Sequence, residues 1–117
     1  MSNEKRNYLR TYRRRLGLSQ ADVAFLLGLK DGSQVSRFER EVRTPNLKLV
    51  FALERLFAVP AEELFRGIYR EVYRQTTERL LALSDELSRH PSTPENIRKV
   101  EIIRSINLTG SGGAYGG

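Results

Sequence analysis

The 117-residue sequence has no cysteine and no tryptophan, and His90 is its one histidine. Without cysteine there can be no disulfide staple, no thiolate nucleophile and no sulfur-ligated metal. One histidine cannot build a histidine-rich metal cage. No apolar run approaches the roughly 18 residues that span a bilayer. The first residues also lack the apolar stretch of a secretion signal. These absences lead to the expectation of a small binding protein that works in the cytoplasm, with no membrane, metal or cofactor involved.

What is present is positive charge, unevenly placed. Lys and Arg total 20 against 14 Asp and Glu, a formal net charge of +6. Residues 1–16 hold Lys5, Arg6, Arg10, Arg13, Arg14 and Arg15 against Glu4 alone, so nearly all of the excess lies there. A concentrated basic patch attracts polyanions, because each neutralised phosphate releases condensed counterions. A solvated basic face with no partner fits the charge alone equally well.

The punctuation of the chain predicts three parts: residues 1–66, rich in short helical signals; residues 67–107, a helical extension; and residues 108–117, a Gly-rich tail expected to be disordered. Five helices are expected in the first part. Leu9, Tyr12 and Leu16 recur at helical spacing over Asn7 to Leu16, and Gly17 can close that helix. Ser19 caps a second helix, with Asp22 completing a short capping box, and Gly28 ends it. A third helix starts near Asp31 to Ser33 and buries Val35 and Phe38. Asn46 caps a fourth with the stripe Leu49, Val50, Leu53, Leu56 and Phe57, and Pro60 opens a short fifth carrying Leu64 and Phe65. Helices this short are stable only when packed on one another.

Four pieces in order stand out: Leu18-Ser-Gln-Ala-Asp-Val-Ala-Phe-Leu-Leu-Gly28, then Ser33-Gln-Val-Ser-Arg-Phe-Glu-Arg40, then Arg43-Thr-Pro-Asn46, then Phe57-Ala-Val-Pro-Ala-Glu-Glu-Leu-Phe65. Together they resemble the helix-turn-helix domain of the Cro and phage-repressor family, over roughly residues 7–66. The residue types suit that geometry. Ala24 is small where two helices would approach, and Gly28 can take the positive φ of a tight turn. The resemblance implies an all-α fold, a five-helix lambda-repressor-like domain whose third helix lies in the major groove of double-stranded DNA.

It also implies roles. Ser33, Gln34, Ser36 and Arg37 would face base edges, with Arg37 able to pair bidentately with guanine. Gln20 would hold a phosphate at the start of the second helix. Arg10, Arg13, Arg14, Arg43 and Thr44 would supply further backbone contacts. Arg37 has an alternative, an i, i+4 ion pair with Glu41. One departure is visible: six residues separate Gly28 from Val35, where the family pattern has five. The extra residue falls in the turn and leaves both Asp31 and Ser33 as candidate caps for the third helix.

In the extension, Tyr69, Tyr73, Thr76, Leu80, Leu83 and Leu87 follow a 4-3-4-3-4 spacing, ended by Pro91. A second helix from Thr93-Pro94 carries Ile97, Val100, Ile103 and Ile106. These two faces cover one another in a hairpin, or make the interface of a homodimer. No catalytic residue, phosphate-cradling loop or metal cluster stands out, so no enzyme is expected. His90 fits a helix end and Glu62-Glu63 a helix start. The expected function is a transcriptional regulator, a repressor on a two-fold symmetric operator. The competing reading is an antitoxin-type module that binds a protein partner as well as DNA. RNA binding is disfavoured because no exposed aromatic platform accompanies the basic residues.

Overall fold

The computed structural model describes residues 6–90 and 92–109. These residues form seven α-helices and, among the described residues, no strand: α1 (Leu9–Arg15), α2 (Gln20–Leu26), α3 (Gly32–Glu39), α4 (Leu47–Phe57), α5 (Ala61–Leu64), α6 (Arg66–Ser88) and α7 (Pro94–Thr109). The all-α expectation, five short helices and then a helical extension, describes this architecture.

Local chemistry sets most of the ends. Ser19 accepts from the Asp22 N–H while Asp22 accepts from the Ser19 N–H, a complete capping box on α2. Asn46 accepts from the Leu49 N–H and starts α4. Asp31 caps α3 by accepting from the Ser33 N–H at 2.9 Å, which decides between the two candidate caps. Gly17 and Gly28 both take φ of +73°, as turns at those points require. Two other left-handed residues carry side chains, Glu41 (φ 63°) and Ala58 (φ 58°), and Ala58 closes α4.

The first compact unit extends to Arg70, and its core is one cluster of Leu9, Val23, Ala24, Val35, Phe38, Leu53, Phe57, Leu64 and Phe65. Every one of the five short helices sends at least one side chain into it. Ile68, in the first turn of α6, packs against the same cluster. The unit therefore runs a few residues past the boundary expected at 66. The segment before α1 is tied down by its backbone: Tyr8 N–H donates to the Leu64 carbonyl at 2.7 Å, and Ile68 N–H to the Arg6 carbonyl.

Gly32 marks a closer contact than the sequence suggested. A Cβ built there would lie 3.1 Å from the backbone nitrogen of Ala21 and 3.1 Å from the carbonyl carbon of Gln20. The N-termini of α2 and α3 thus meet backbone to backbone at the position where the turn carries its extra residue. Gly32→Ala is expected to push the two helices apart and destabilise the unit by about 1–3 kcal/mol, the usual cost of overpacking. Urea unfolding followed by circular dichroism checks it, since an unstrained glycine-to-alanine change in a helix would stabilise instead.

The second unit, beginning at Glu71, contains most of α6 and all of α7. Thr93 caps α7 by accepting from the Asn96 N–H. Leu87 and Ser88 at the end of α6 line a shallow cleft with Ile97, Val100 and Arg104 of α7. The half-buried or buried stripes are Thr77, Leu80, Ser84 and Leu87 on α6 and Asn96, Val100, Ile103 and Asn107 on α7. Tyr73, Thr76 and Leu83, expected along the seam, are exposed, as are Ile97 and Ile106. Helix α7 continues through Thr109, two residues into the segment expected to be tail. Pro91 and residues 110–117 lie outside the described residues.

Candidate nucleic-acid interface

Helix α3 buries Val35 and Phe38, turns the Glu39 carboxylate inward with them, and presents its opposite side outward. Gln34 and Arg37 lie on that outward side and share a concave surface with Arg43, Thr44 and Asn46 from the segment leading into α4. Phe38 and Leu49 form its floor, and the concavity measures about 350 Å³. The structure thus brings two of the expected base-reading residues together with two of the expected backbone contacts. Arg37 is exposed and makes no ion pair with Glu41, which pairs with Arg6 at 2.8 Å. Its alternative role is therefore not the one adopted.

The two serines are engaged locally. Ser33 donates its hydroxyl to the Asp31 carboxylate, and Ser36 accepts from the Arg40 Nε at 3.1 Å. The Ser33 hydroxyl, bonded to Asp31, holds the Asp31 carboxyl below the usual carboxylate range. The Ser19 N–H does the same for Asp22. Both values are lowered by folding, so both caps stabilise above the ordinary carboxylate range and weaken as the pH falls through their depressed values. Circular dichroism during acid titration should show helix loss that sets in within the ordinary carboxylate range and continues below it, and Asp31→Asn should flatten that dependence.

A second group converges on Glu39, the last residue of α3. Arg13 from α1 donates its Nε to Glu39 Oε2 at 2.6 Å and its Nη2 to Oε1 at 3.2 Å. Arg13 Nη1 donates to the Leu18 carbonyl at 2.9 Å, and Gln20 Nε2 donates to Glu39 Oε1 at 3.1 Å. The side chains of Arg13 and Glu39 are only 12% and 4% exposed. The hydrogen bond to Glu39 raises the Arg13 pKa above the usual arginine value. Arg13, one of the expected phosphate contacts, has its guanidinium turned inward as the clamp of α1 on α3 and on the chain entering α2. Gln20 keeps its place at the start of α2 but shares its amide with the same carboxylate. Arg10 and Arg14 remain exposed on α1.

Glu39 itself was missed. Its signal was present, because it follows Phe38 and stands four residues after Val35, on the inward stripe of α3. A carboxylate there needs an internal cation, and Arg13, four residues after the core residue Leu9, supplies it.

Comparison with known families matches residues 9–64 to a family described as Helix-turn-helix. Residues 9–64 are a helix-turn-helix domain of the Cro and repressor type. The match begins at the first residue of α1 and ends at the last of α5, so it covers the five-helix core and nothing of α6 or α7. No curated protein and no solved structure matches the chain. The match supports, in general terms, a DNA-binding transcription regulator. In the helix-turn-helix, α2 is the first helix and α3 the second, and the shared surface of Gln34, Arg37, Arg43 and Thr44 lies along the second. Among the described residues no helix is long and apolar enough to cross a membrane, and no group of acidic or histidine side chains could hold a metal.

Proposed function

We propose that the protein is a repressor that binds, as a homodimer, a two-fold symmetric operator, with α3 inserted in the major groove. The observation that carries this reading is the concave surface on which Gln34 and Arg37 stand beside Arg43 and Thr44. A base-reading surface needs donors aimed at base edges together with donors that fix the register on the phosphates. Arg37 has no competing carboxylate within ion-pair reach among the described residues, which leaves its fork available to guanine O6 and N7. Arg10, Arg14 and Gln20 serve as outlying backbone contacts, and Ser33 and Ser36 use their remaining lone pairs as acceptors.

The homodimer reading rests on the second unit. Tyr73, Leu81 and Leu83 of α6 and Ile97, Ile102 and Ile106 of α7 are exposed. Apolar side chains exposed in that number are the material from which an association surface is made. Two domains then read half-sites about one helical turn apart, and a dimer so placed excludes other proteins from the same groove.

Selection of bound sites from a random DNA pool tests the whole reading. Inverted half-sites spaced by about one turn are expected; enrichment of single half-sites would remove the dimer, and no enrichment would remove specific reading altogether. On the selected site, Arg37→Ala is expected to cost about 1–3 kcal/mol and to relax preference at one base pair. Arg43→Ala should weaken all sites alike and flatten the log–log salt slope by roughly 0.9. Titrations on matched and singly substituted sites separate the two.

A further inference from the structure

A second concave surface lies on the first unit, on the other flank of α1. It measures about 200 Å³ and is lined by Tyr8, Thr11, Tyr12 and Arg15 of the N-terminal segment and by Glu63 and Arg66. None of these residues belongs to the groove on α3. At 100° per residue, Tyr8, Tyr12 and Arg15 fall on the side of α1 away from Arg13 and Arg10.

The chemistry of this lining is specific. The Arg15 guanidinium sits 5.1 Å from the centre of the Tyr12 ring, and that of Arg66 sits 5.7 Å from the centre of the Tyr8 ring. Arg15 has no carboxylate within ion-pair reach among the described residues. Arg66 reaches Glu63 only at 3.9 Å, too long for a hydrogen bond. The Tyr12 hydroxyl donates to Glu63 at 2.6 Å, and that bond raises the Tyr12 pKa, keeping the phenol protonated as a donor. Two planar cations thus lie over two rings with most of their donors unengaged. The walls are fixed, because Tyr8 is tied to Leu64 and the Tyr12 ring leans on Phe57 at 6.2 Å.

We propose that this concavity is a binding site for a small aromatic carboxylate, an effector site separate from the surface that reads DNA. The carboxylate takes the forks of Arg15 and Arg66, and the ring lies against Tyr8 and Tyr12. The volume sets the size, since it is below the roughly 300 Å³ at which ordinary ligand pockets begin. Glu63 sets the charge: with two arginines it leaves a net charge of +1, which a monoanion neutralises and a dianion would exceed, leaving uncompensated negative charge beside the Glu63 carboxylate. The rings set the class, because an inorganic anion makes no use of them.

Calorimetric titration of the full chain with benzoate, benzamide, acetate and inorganic phosphate tests the proposal. Benzoate is expected to bind with a Kd of about 0.1–1 mM. Benzamide, of the same shape without the charge, acetate, without the ring, and phosphate should each bind at least about tenfold more weakly. Arg15→Gln and Arg66→Gln should each weaken benzoate by about tenfold or more, while Arg98→Gln on α7 changes nothing. Circular dichroism of each variant shows that it is folded. No benzoate binding by the folded wild-type chain overturns the proposal. So does equal binding of benzamide, or benzoate affinity unchanged in both arginine variants.

Discussion

Glu39→Ala is expected to destabilise the first unit by about 3–5 kcal/mol, the cost of leaving a buried cation unpaired. The carboxylate is 4% exposed and receives three hydrogen bonds, two from Arg13 and one from Gln20. Its removal leaves the Arg13 guanidinium, 12% exposed, with only the Leu18 carbonyl. A loss of that size is a large share of the roughly 5–15 kcal/mol that holds a domain together. Urea unfolding followed by circular dichroism measures it, and a loss below about 1 kcal/mol would place the pair with solvent-exposed ones. The double variant Arg13→Met, Glu39→Leu should recover most of the stability, because an apolar pair of similar volume replaces a costly ionic one. It should not recover DNA affinity, since Gln20 has still lost the acceptor that holds its amide at the start of α2. Stability and binding then part company, which a purely structural role for Glu39 would not produce.

Leu64→Ala is expected to cost about 2–5 kcal/mol and to lower the melting temperature by about 4–8 °C per kcal/mol. Leu64 is fully buried, and with Leu53 and Val23 it is among the largest side chains that solvent does not reach. Its helix, α5, is only four residues long and draws the side-chain hydrogen bond at its start from Glu54 on α4, which accepts from the Ala61 N–H at 2.6 Å, so it has little stability of its own. The leucine side chain keeps α5 on the core. Its carbonyl accepts from the Tyr8 N–H, so the same residue anchors the start of α1. Differential scanning calorimetry should show the loss in the first unit. Leu81→Ala, an exposed position on α6, should shift that transition little.

The contrast between what the sequence made legible and what it did not follows the range of the forces involved. Capping is local chemistry, so Ser19 with Asp22 and Asn46 could be read directly from the residue types. The inward stripe of α3 was equally plain in Val35 and Phe38. Glu41 and Ala58 were not, because both take a left-handed conformation without being glycine or asparagine. Glu41 is joined to Arg6 and Ala58 terminates a helix, features that only the assembled chain imposes. On α6 the expected stripe agrees at Leu80 and Leu87 but stands one position off at Thr76 and Leu83, for a similar reason. The inner positions of that helix include Thr77 and Ser84, and those of α7 include Asn96 and Asn107, so apolar periodicity does not trace them.

The concave surface on α3 and the residues around it divide in the same way. Gln34, Arg37, Arg43 and Thr44 were legible as a set and lie together. Arg13 was read by its charge, with the other arginines of the first segment. What distinguishes it is a partner 26 residues away, and pairing at that distance leaves no trace in a local pattern.

Gly32 bears on how such a regulator could be retargeted. With the backbones of Gln20 and Ala21 close against it, the start of α3 has no room for a side chain at position 32. A library that randomises positions 34 and 37 while leaving 31–33 intact would therefore change the letters presented to DNA without changing how the helix is held. Randomising the turn as well would mix altered readers with misplaced ones, and no binding screen alone could tell the two apart.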